Sequence, residues 1–193
     1  MPSALALTGY FLAACFVVFL LVWIIAAFST KRTVRRSGRW RGGFLLITAV
    51  SILVARLTRG TGAAWVVHPL WPHTLAIALV GDALAFAGLV LMLWARFTLG
   101  RNWSASVVLK HEHELIVRGP YRLVRHPIYS GGILMMLGWV VWSGLVVSAI
   151  AWLFTIILFW FKAGEEERLL TEHFGNSYRD YKSRVKGLIP YVL

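Results

Sequence analysis

Two segments of the sequence combine residue types that could support chemistry. Residues 113–129 read HELIVRGPYRLVRHPIY and place His126 directly before Pro127. Further along the chain, Glu165, Glu166 and Glu167 form a run of three carboxylates. Basic and aromatic groups opposite an acidic cluster could together hold a zwitterionic ligand.

Each segment also has an explanation that needs no ligand. Basic and aromatic residues anchor many membrane helices at the interface. The carboxylates could begin a new helix near Gly164, where the helix dipole favours acidic residues, or could pair with Arg118, Arg122 or Arg125. On the residues alone, the structural and the functional explanation have equal weight.

The elements that must position these residues are membrane helices. The sequence is 59% hydrophobic and 15% charged, with a mean hydropathy of +0.70, which is outside the range of soluble proteins. A spanning helix needs about 20 apolar residues, because each rises about 1.5 Å across a hydrocarbon core of about 30 Å. Five segments are candidates, near 8–28, 43–57, 73–97, 128–142 and 145–161, of which the second is short.

We therefore predict an all-α integral membrane protein with about five transmembrane helices. The last two would form a tight hairpin, since only Ser143 and Gly144 separate them. The first run lacks a preceding basic segment and is long enough to span, so we expect a retained helix rather than a signal peptide. Residues 1–193 would form one membrane domain, with three spans in 1–97 and the chemical segments, the hairpin and the tail in 98–193.

The charge pattern predicts how the chain is oriented. The net charge is +12, and eighteen of the 20 Lys and Arg residues fall in alternate loops and the tail of a five-span topology. Lys- and Arg-rich short loops lie on the cytoplasmic side. The N-terminus would therefore lie outside and both chemical segments in the cytoplasm, and the positive charge indicates a membrane face, not a nucleic-acid partner.

The remaining polar residues predict no second site. Asp82 is the one acid within a predicted span, about two turns from the outer side, where Arg56 or Arg59 could neutralise it. Cys15 is the only cysteine, so the chain has no internal disulfide. The other histidines lack the spacing of metal ligands, and we predict no metal site.

Two sets of motifs follow one another around the hairpin. The first set is Gly119-Pro120-Tyr121-Arg122 with Arg125-His126-Pro127-Ile128-Tyr129, and the second is Glu165-Glu166-Glu167, Phe174-Gly175, Tyr178, Tyr181 and Leu188-Ile189-Pro190. In this order and spacing the chain resembles the isoprenylcysteine carboxyl methyltransferase family, within the wider group of phospholipid methyltransferase-like proteins. The resemblance covers residues 98–193, whereas the first two spans match only as generic membrane helices.

The resemblance implies S-adenosyl-L-methionine as the methyl donor, bound on the cytoplasmic face beneath the tail. The positions that match the family's donor contacts are His113, Glu114, Leu115, Ile116, Tyr121, His126, Pro127, Ile128, Tyr129 and Glu166. Arg125 and Asn102 are the catalytic candidates on the acceptor side, with Trp103 and Lys162 as substrate-binding residues. Lys162 stands where the family has an arginine, and a lysine lacks the bidentate fork that suits a carboxylate.

The sequence thus favours a membrane methyltransferase that acts on a lipidated or apolar acceptor, for example a prenylated one. Its Ala, Trp and Gly content suggests a bacterial inner membrane. Two alternatives remain open: a membrane oxidoreductase similar to sterol reductases, which would bind a reduced nicotinamide cofactor, and a non-catalytic protein whose basic face binds anionic lipids.

Overall fold

The computed structural model describes residues 2–27, 67–100 and 115–189, together with the backbone of 33–36 and 108–110. The helices are α1 (Ala4–Ala27), α2 (Leu75–Leu99), α3 (Pro127–Ser143), α4 (Val146–Phe174) and α5 (Asn176–Arg184), and a 3-10 turn covers Gly119–Arg122. Within this part of the chain, α1, α2 and α4 are long and apolar enough to cross a membrane, and α3 is a shorter apolar helix. The prediction of an all-α integral membrane protein is confirmed; the predicted span 43–57 lies outside the described residues.

One short pair of strands joins two loops. β1 (Thr33–Arg36) pairs antiparallel with β2 (Val108–Lys110), with an irregular register between Thr33 and Arg35. β1 follows α1 and β2 follows α2, so the pairing brings together the two basic loops that the charge pattern assigns to one membrane face.

The predicted hairpin turn is confirmed. α3 ends at Ser143, and Gly144 adopts the left-handed conformation (φ 64°), from which its amide donates to the Val140 carbonyl at 2.9 Å. A residue with a side chain is strained at such a φ, so glycine suits this position. α4 then begins at Val146 and returns alongside α3.

α2 and α3 pack against each other through glycines. A Cβ added at Gly88 would lie 2.4 Å from the Met135 amide nitrogen, and one at Gly138 would lie 2.4 Å from the Ala85 amide nitrogen. Gly81 and Gly131 are equally crowded by the facing helix. Small residues let membrane helices approach until their backbones touch, where dispersion can act without any hydrophobic driving force. This contact fixes α3, and with it the start of α3 at Pro127.

Arg96 joins the ends of α1 and α2. Its side chain is buried and donates to the Ala26 carbonyl at 3.0 Å and to the Gly100 carbonyl at 2.7 Å. The last carbonyls of a helix lack partners within it and carry partial negative charge. A guanidinium at this depth therefore satisfies two helix ends at once.

The structure corrects one prediction about the acidic cluster. No new helix begins near Gly164, since α4 continues without interruption from Val146 to Phe174. Its 29 residues extend about 43 Å at 1.5 Å per residue, which exceeds the hydrocarbon core of about 30 Å by more than two turns. Glu165 to Glu167 lie about 20 residues from the start of α4, so they reach the membrane boundary opposite the hairpin turn.

The glycine contact can be tested with Gly88→Ala. The added methyl would overlap the Met135 and Gly131 backbones, and overpacking of this kind costs about 1 to 3 kcal/mol. We expect a lower thermal unfolding midpoint in detergent. Gly164→Ala is the matched control, because nothing lies within 4 Å of its added Cβ; equal losses in the two variants would contradict the assigned role of Gly88.

Candidate functional site

His126 lies at the centre of the site, between two carboxylates of α4. Its Nε2 is 3.1 Å from Glu167 Oε1 and its Nδ1 is 3.6 Å from Glu166 Oε2, while only 5% of the side chain is exposed. Neighbouring residues of a helix point about 100° apart, so Glu166 and Glu167 can reach different nitrogens of one ring. His126 owes its position to Pro127, which begins α3 and has no amide hydrogen that would need a partner.

Glu167 connects His126 with two further basic side chains, those of Arg125 and Lys182. Its Oε1 accepts from Arg125 Nε at 2.8 Å and lies 2.7 Å from Arg125 Nη2, and its Oε2 lies 2.6 Å from Lys182 Nζ. The Glu167 side chain is only 11% exposed, and a charge at that depth is stable only when it is paired and hydrogen-bonded. Glu167 thus ties α4 to the segment before α3 and to α5.

Glu166 has a more open environment. Its Oε1 accepts from the Tyr129 hydroxyl at 2.5 Å, its Oε2 faces His126, and its side chain is 23% exposed, about twice the fraction of Glu167. A carboxylate has about four lone-pair positions. Glu166 therefore keeps acceptor capacity for a ligand.

Aromatic rings stack beside Glu166. The Tyr129 ring lies 5.4 Å from that of His126, with 5° between their planes, and 4.7 Å from that of Phe159. Lys162, one turn before Glu166, places its Nζ 5.2 Å from the centre of the Tyr129 ring. The stack combines an apolar wall with a face that attracts cations.

The chain after α5 forms a strap, residues 185–188, that crosses the start of α3. The amides of Arg125 and His126 donate to the carbonyls of Lys186 (2.8 Å) and Gly187 (3.0 Å), and Ser130 Oγ donates to that of Leu188 (2.5 Å). The Arg125 guanidinium also donates to the Lys182 and Val185 carbonyls. The strap thus closes one side of the site through main-chain bonds.

Two tyrosines of α5 pack below the strap. The Tyr181 hydroxyl donates to the Tyr121 carbonyl at 2.6 Å, and burial raises the pKa of Tyr181 to about 12, so that this donor stays protonated. Tyr178 is 1% exposed, and its hydroxyl has no hydrogen-bond partner within the part of the chain that the structure describes. Burial, followed by the negative charge of Glu166, raises the pKa of Tyr121 well above its usual value.

Opposing effects act on His126. Burial alone would lower the pKa of its imidazole, but hydrogen bonds to Glu166 and Glu167 and the charges of both carboxylates raise it above the usual 6.5. The protonated ring, which donates from both nitrogens, matches two flanking carboxylates.

The structure gathers most of the described candidate residues into this site. The start of α3 and the C-terminal part of α4 bring together Tyr121, Arg125, His126, Tyr129, Lys162 and Glu166. Pro127 is fully buried at the start of α3, Ile128 packs against the apolar clusters beneath it, and Leu115 and Ile116 lie half-buried before the 3-10 turn. Asn102, Trp103, His113 and Glu114 lie outside the described residues.

Arg125 is placed differently from the other candidates. All three of its guanidinium nitrogens have partners in Glu167, α5 or the strap. This confirms the expectation that an arginine of the loop pairs with the acidic cluster. A role of Arg125 toward the acceptor stays a prediction.

Two residues of the site were given no role of their own from the sequence: Glu167, which was predicted only as a member of the acidic run, and Lys182. Glu167 follows Phe159 and Ala163 at intervals of four, and both pack against Tyr129 with the apolar cluster there. Had α4 been extended past Phe161, this spacing would have placed Glu167 on the buried face. Lys182 carried no comparable signal, because its partner is 15 residues away in the sequence and on another helix.

Comparisons with known proteins agree on one family. The family model described as phospholipid methyltransferase matches residues 76–177, which include α3, most of α2 and all of α4. The chain is 32% identical over 121 residues to a probable protein-S-isoprenylcysteine O-methyltransferase of Oryza sativa subsp. indica, covering 60% of this chain and 62% of that protein. It is 29% identical over 163 residues to the protein-S-isoprenylcysteine O-methyltransferase of Rattus norvegicus, covering 77% of this chain and 54% of that protein.

A solved structure shares the fold. The eukaryotic intramembrane Ras methyltransferase, isoprenylcysteine carboxyl methyltransferase, matches with a TM-score of 0.54 and 24% identity, covering 79% of this chain and 54% of that one. The chain thus spans about three fifths or less of the length of these relatives.

The contribution of Glu167 can be tested with Glu167→Gln. The change leaves Arg125 and Lys182 without their counter-charge, and breaking a buried ion pair costs about 3 kcal/mol. We expect a lower thermal midpoint and faster proteolysis within 176–189. Glu165→Gln, whose ion pair with Arg168 is half exposed, should lose less than about 1 kcal/mol. Indistinguishable behaviour of the two variants would remove Glu167 from this role.

The raised pKa of His126 predicts a pH dependence. A group that binds its proton more tightly in the folded state stabilises that state fully below the unfolded pKa of about 6.5 and loses this contribution as the pH rises through its raised folded pKa. The stability gap between the wild type and His126→Asn should therefore shrink as the pH rises above about 6.5, as measured by thermal unfolding. A constant gap would contradict the shift.

Proposed function

This chain belongs to the phospholipid methyltransferase family, and from that premise we propose that it is an integral membrane methyltransferase that uses S-adenosyl-L-methionine. We further propose that the acceptor is lipidated or apolar and that the site described above binds the donor. The observation that carries the proposal is the partly exposed carboxylate of Glu166, held between His126 and Tyr129 at the membrane boundary.

The groups around Glu166 suit the chemistry of this donor. S-adenosyl-L-methionine is a zwitterion with an additional sulfonium charge, so it calls for a carboxylate, an aromatic face and polar main-chain groups. Glu166 supplies the carboxylate and Tyr129 the ring. Leu115 and Ile116 would contribute backbone groups beside the 3-10 turn, with Tyr121 behind them. His113 and Glu114 remain proposed contacts on the basis of the family motif.

The protein's part in such a reaction is positioning. When bound, the donor supplies an electrophilic methyl group, and transfer to a nucleophile in line with it requires alignment and exclusion of water. The strap and α5 provide one wall of such a compartment, and the apolar stack of Tyr129 and Phe159 provides another. His126, held by two carboxylates, fixes the orientation of Glu166.

The acceptor side is proposed from charge and membrane geometry. The relatives are named for isoprenylcysteine, which carries a lipid chain and a carboxylate. Lys162 would provide the cation that such a carboxylate needs, with Asn102 and Trp103 as further candidates. A lipid-tailed acceptor could reach this boundary from within the bilayer, which accounts for a site at the end of α4.

We also propose an orientation. The basic loops, the strap and the acidic cluster would face the cytoplasm and the N-terminus the outside, in a bacterial inner membrane, as the charge pattern and composition indicate. A soluble donor would then enter from the cytoplasm while the acceptor stays in the leaflet.

Donor binding tests the proposal directly. Calorimetry on the detergent-purified protein should show saturable binding of S-adenosyl-L-methionine and of its demethylated product. Glu166→Gln should weaken this binding by roughly tenfold or more, since a hydrogen bond to a charged group contributes about 1.5 to 3 kcal/mol. Glu165→Gln is the matched control and should bind as the wild type does.

Other outcomes would redirect the assignment. Binding of reduced nicotinamide cofactor in place of the methyl compounds would favour the oxidoreductase alternative. Unchanged affinity in folded Glu166→Gln would remove Glu166 from the donor site. Absence of any binding would overturn the methyltransferase proposal.

A further inference from the structure

Three apolar side chains outside α1–α4 are exposed beside basic ones. Val117 is 44% exposed, Leu123 49% and Ile189 50%. Arg118 and Arg122 are their exposed neighbours in the sequence, and Lys186 is exposed three residues before Ile189. We call these six residues the interfacial face: Val117, Arg118, Arg122, Leu123, Lys186 and Ile189.

Main-chain bonds place the two halves of this face side by side. Val124 and Lys186 form a parallel bridge, and the Arg125 amide donates to the Lys186 carbonyl at 2.8 Å. Residues 122–124 therefore run next to the strap. The exposed side chains of Arg122, Leu123 and Lys186 therefore lie on adjoining segments, with Val117 and Arg118 directly before the 3-10 turn and Ile189 directly after the strap.

The interfacial face adjoins the start of the apolar helix α3, where we expect the surface of the bilayer. Pro127, which begins α3, follows Arg122 and Leu123 by only a few residues. Apolar side chains interleaved with Lys and Arg are typical of segments that lie in the headgroup region, where the apolar part enters the acyl boundary and the charge stays in water. The composition of this face suits a lipid surface better than bulk water.

The charge of the face selects the kind of lipid. The six residues of the interfacial face include three cations and no acidic residue. Cations near a membrane surface are attracted by anionic headgroups and not by zwitterionic ones.

We propose that the interfacial face binds anionic phospholipid headgroups of the adjoining leaflet. Bound headgroups would hold residues 122–124 and the strap together. Because the amides of Arg125 and His126 bond to that strap, the lipid would stabilise the closed side of the site. Anionic lipids would thus bind at a defined surface of this protein, in addition to surrounding its helices.

Lipid selectivity of the full chain, measured without methyl donor, tests the proposal. We would reconstitute the protein in phosphatidylcholine and compare the association of spin-labelled phosphatidylglycerol and spin-labelled phosphatidylcholine by electron paramagnetic resonance. The wild type should prefer phosphatidylglycerol. The variant Arg118→Gln/Arg122→Gln/Lys186→Gln should lose most of that preference, because each cation at an anionic surface changes binding by roughly fivefold.

The matched control removes the same charge elsewhere. Arg168, Arg179 and Arg184 each bond within their own helix, to Glu165, Asn176 and the Asp180 carbonyl. Arg168→Gln/Arg179→Gln/Arg184→Gln should keep the preference, as should the charge-conserving variant Arg118→Lys/Arg122→Lys/Lys186→Arg. A wild type without preference would overturn the proposal. So would equal losses in the two neutralised variants, since they would show that the cations act only through overall charge.

A second measurement addresses the strap and rests on the proposed function. In nanodiscs, donor affinity should rise when phosphatidylglycerol replaces part of the phosphatidylcholine, and this rise should be lost in Arg118→Gln/Arg122→Gln/Lys186→Gln. Affinity that does not respond to phosphatidylglycerol would overturn the link between lipid and site. The two proposals fail separately, because lipid selectivity is read without donor and donor binding is read first in detergent.

Discussion

The ion pair between Arg125 and Glu167 is the interaction on which the site depends. Its two side chains come from the loop before α3 and from the end of α4, and each is only 11% exposed. Arg125 also donates to main-chain carbonyls of α5 and the strap, and Glu167 also pairs with Lys182 and His126. A guanidinium suits this task because its five donors are fixed in one plane and can serve several acceptors at once. Without this pair, three elements would meet at a membrane boundary with unmatched charges.

The adjacent carboxylates Glu166 and Glu167 have different roles because their side chains differ in exposure. Glu167 pairs with Arg125, Lys182 and His126, whereas Glu166 is more exposed and, among the described residues, accepts from the Tyr129 hydroxyl and faces one nitrogen of His126. Their separation of about 100° around α4 produces this difference. A run of acidic residues that is unfavourable near the C-terminal end of a helix is thereby converted into one structural anchor and one ligand candidate. His126 couples the two, because its ring touches both.

The membrane helices supply the rigidity that this polar site needs. Backbone contact through Gly81, Gly88, Gly131 and Gly138 fixes α3 against α2, and the Gly144 turn fixes α4 against α3. α3 and α4, which are joined by the Gly144 turn, therefore place His126 and Glu166 at the same depth.

The sequence by itself determined that this protein lies in a membrane and which of its segments cross that membrane. Apolar runs of the required length predict α1, α2 and the α3–α4 hairpin, since hydrocarbon leaves a backbone few alternatives to a helix. The order of the motifs identified Arg125, His126, Tyr129 and Glu166, which do converge. Only the tertiary structure decided that α4 continues through the acidic cluster and that Glu167, not Glu166, is the residue joined to Arg125 and Lys182. Local pattern could not reveal this, because those bonds link residues 15 and 42 positions apart, and it is the packing of α3 against α4 and the path of the strap that bring them together.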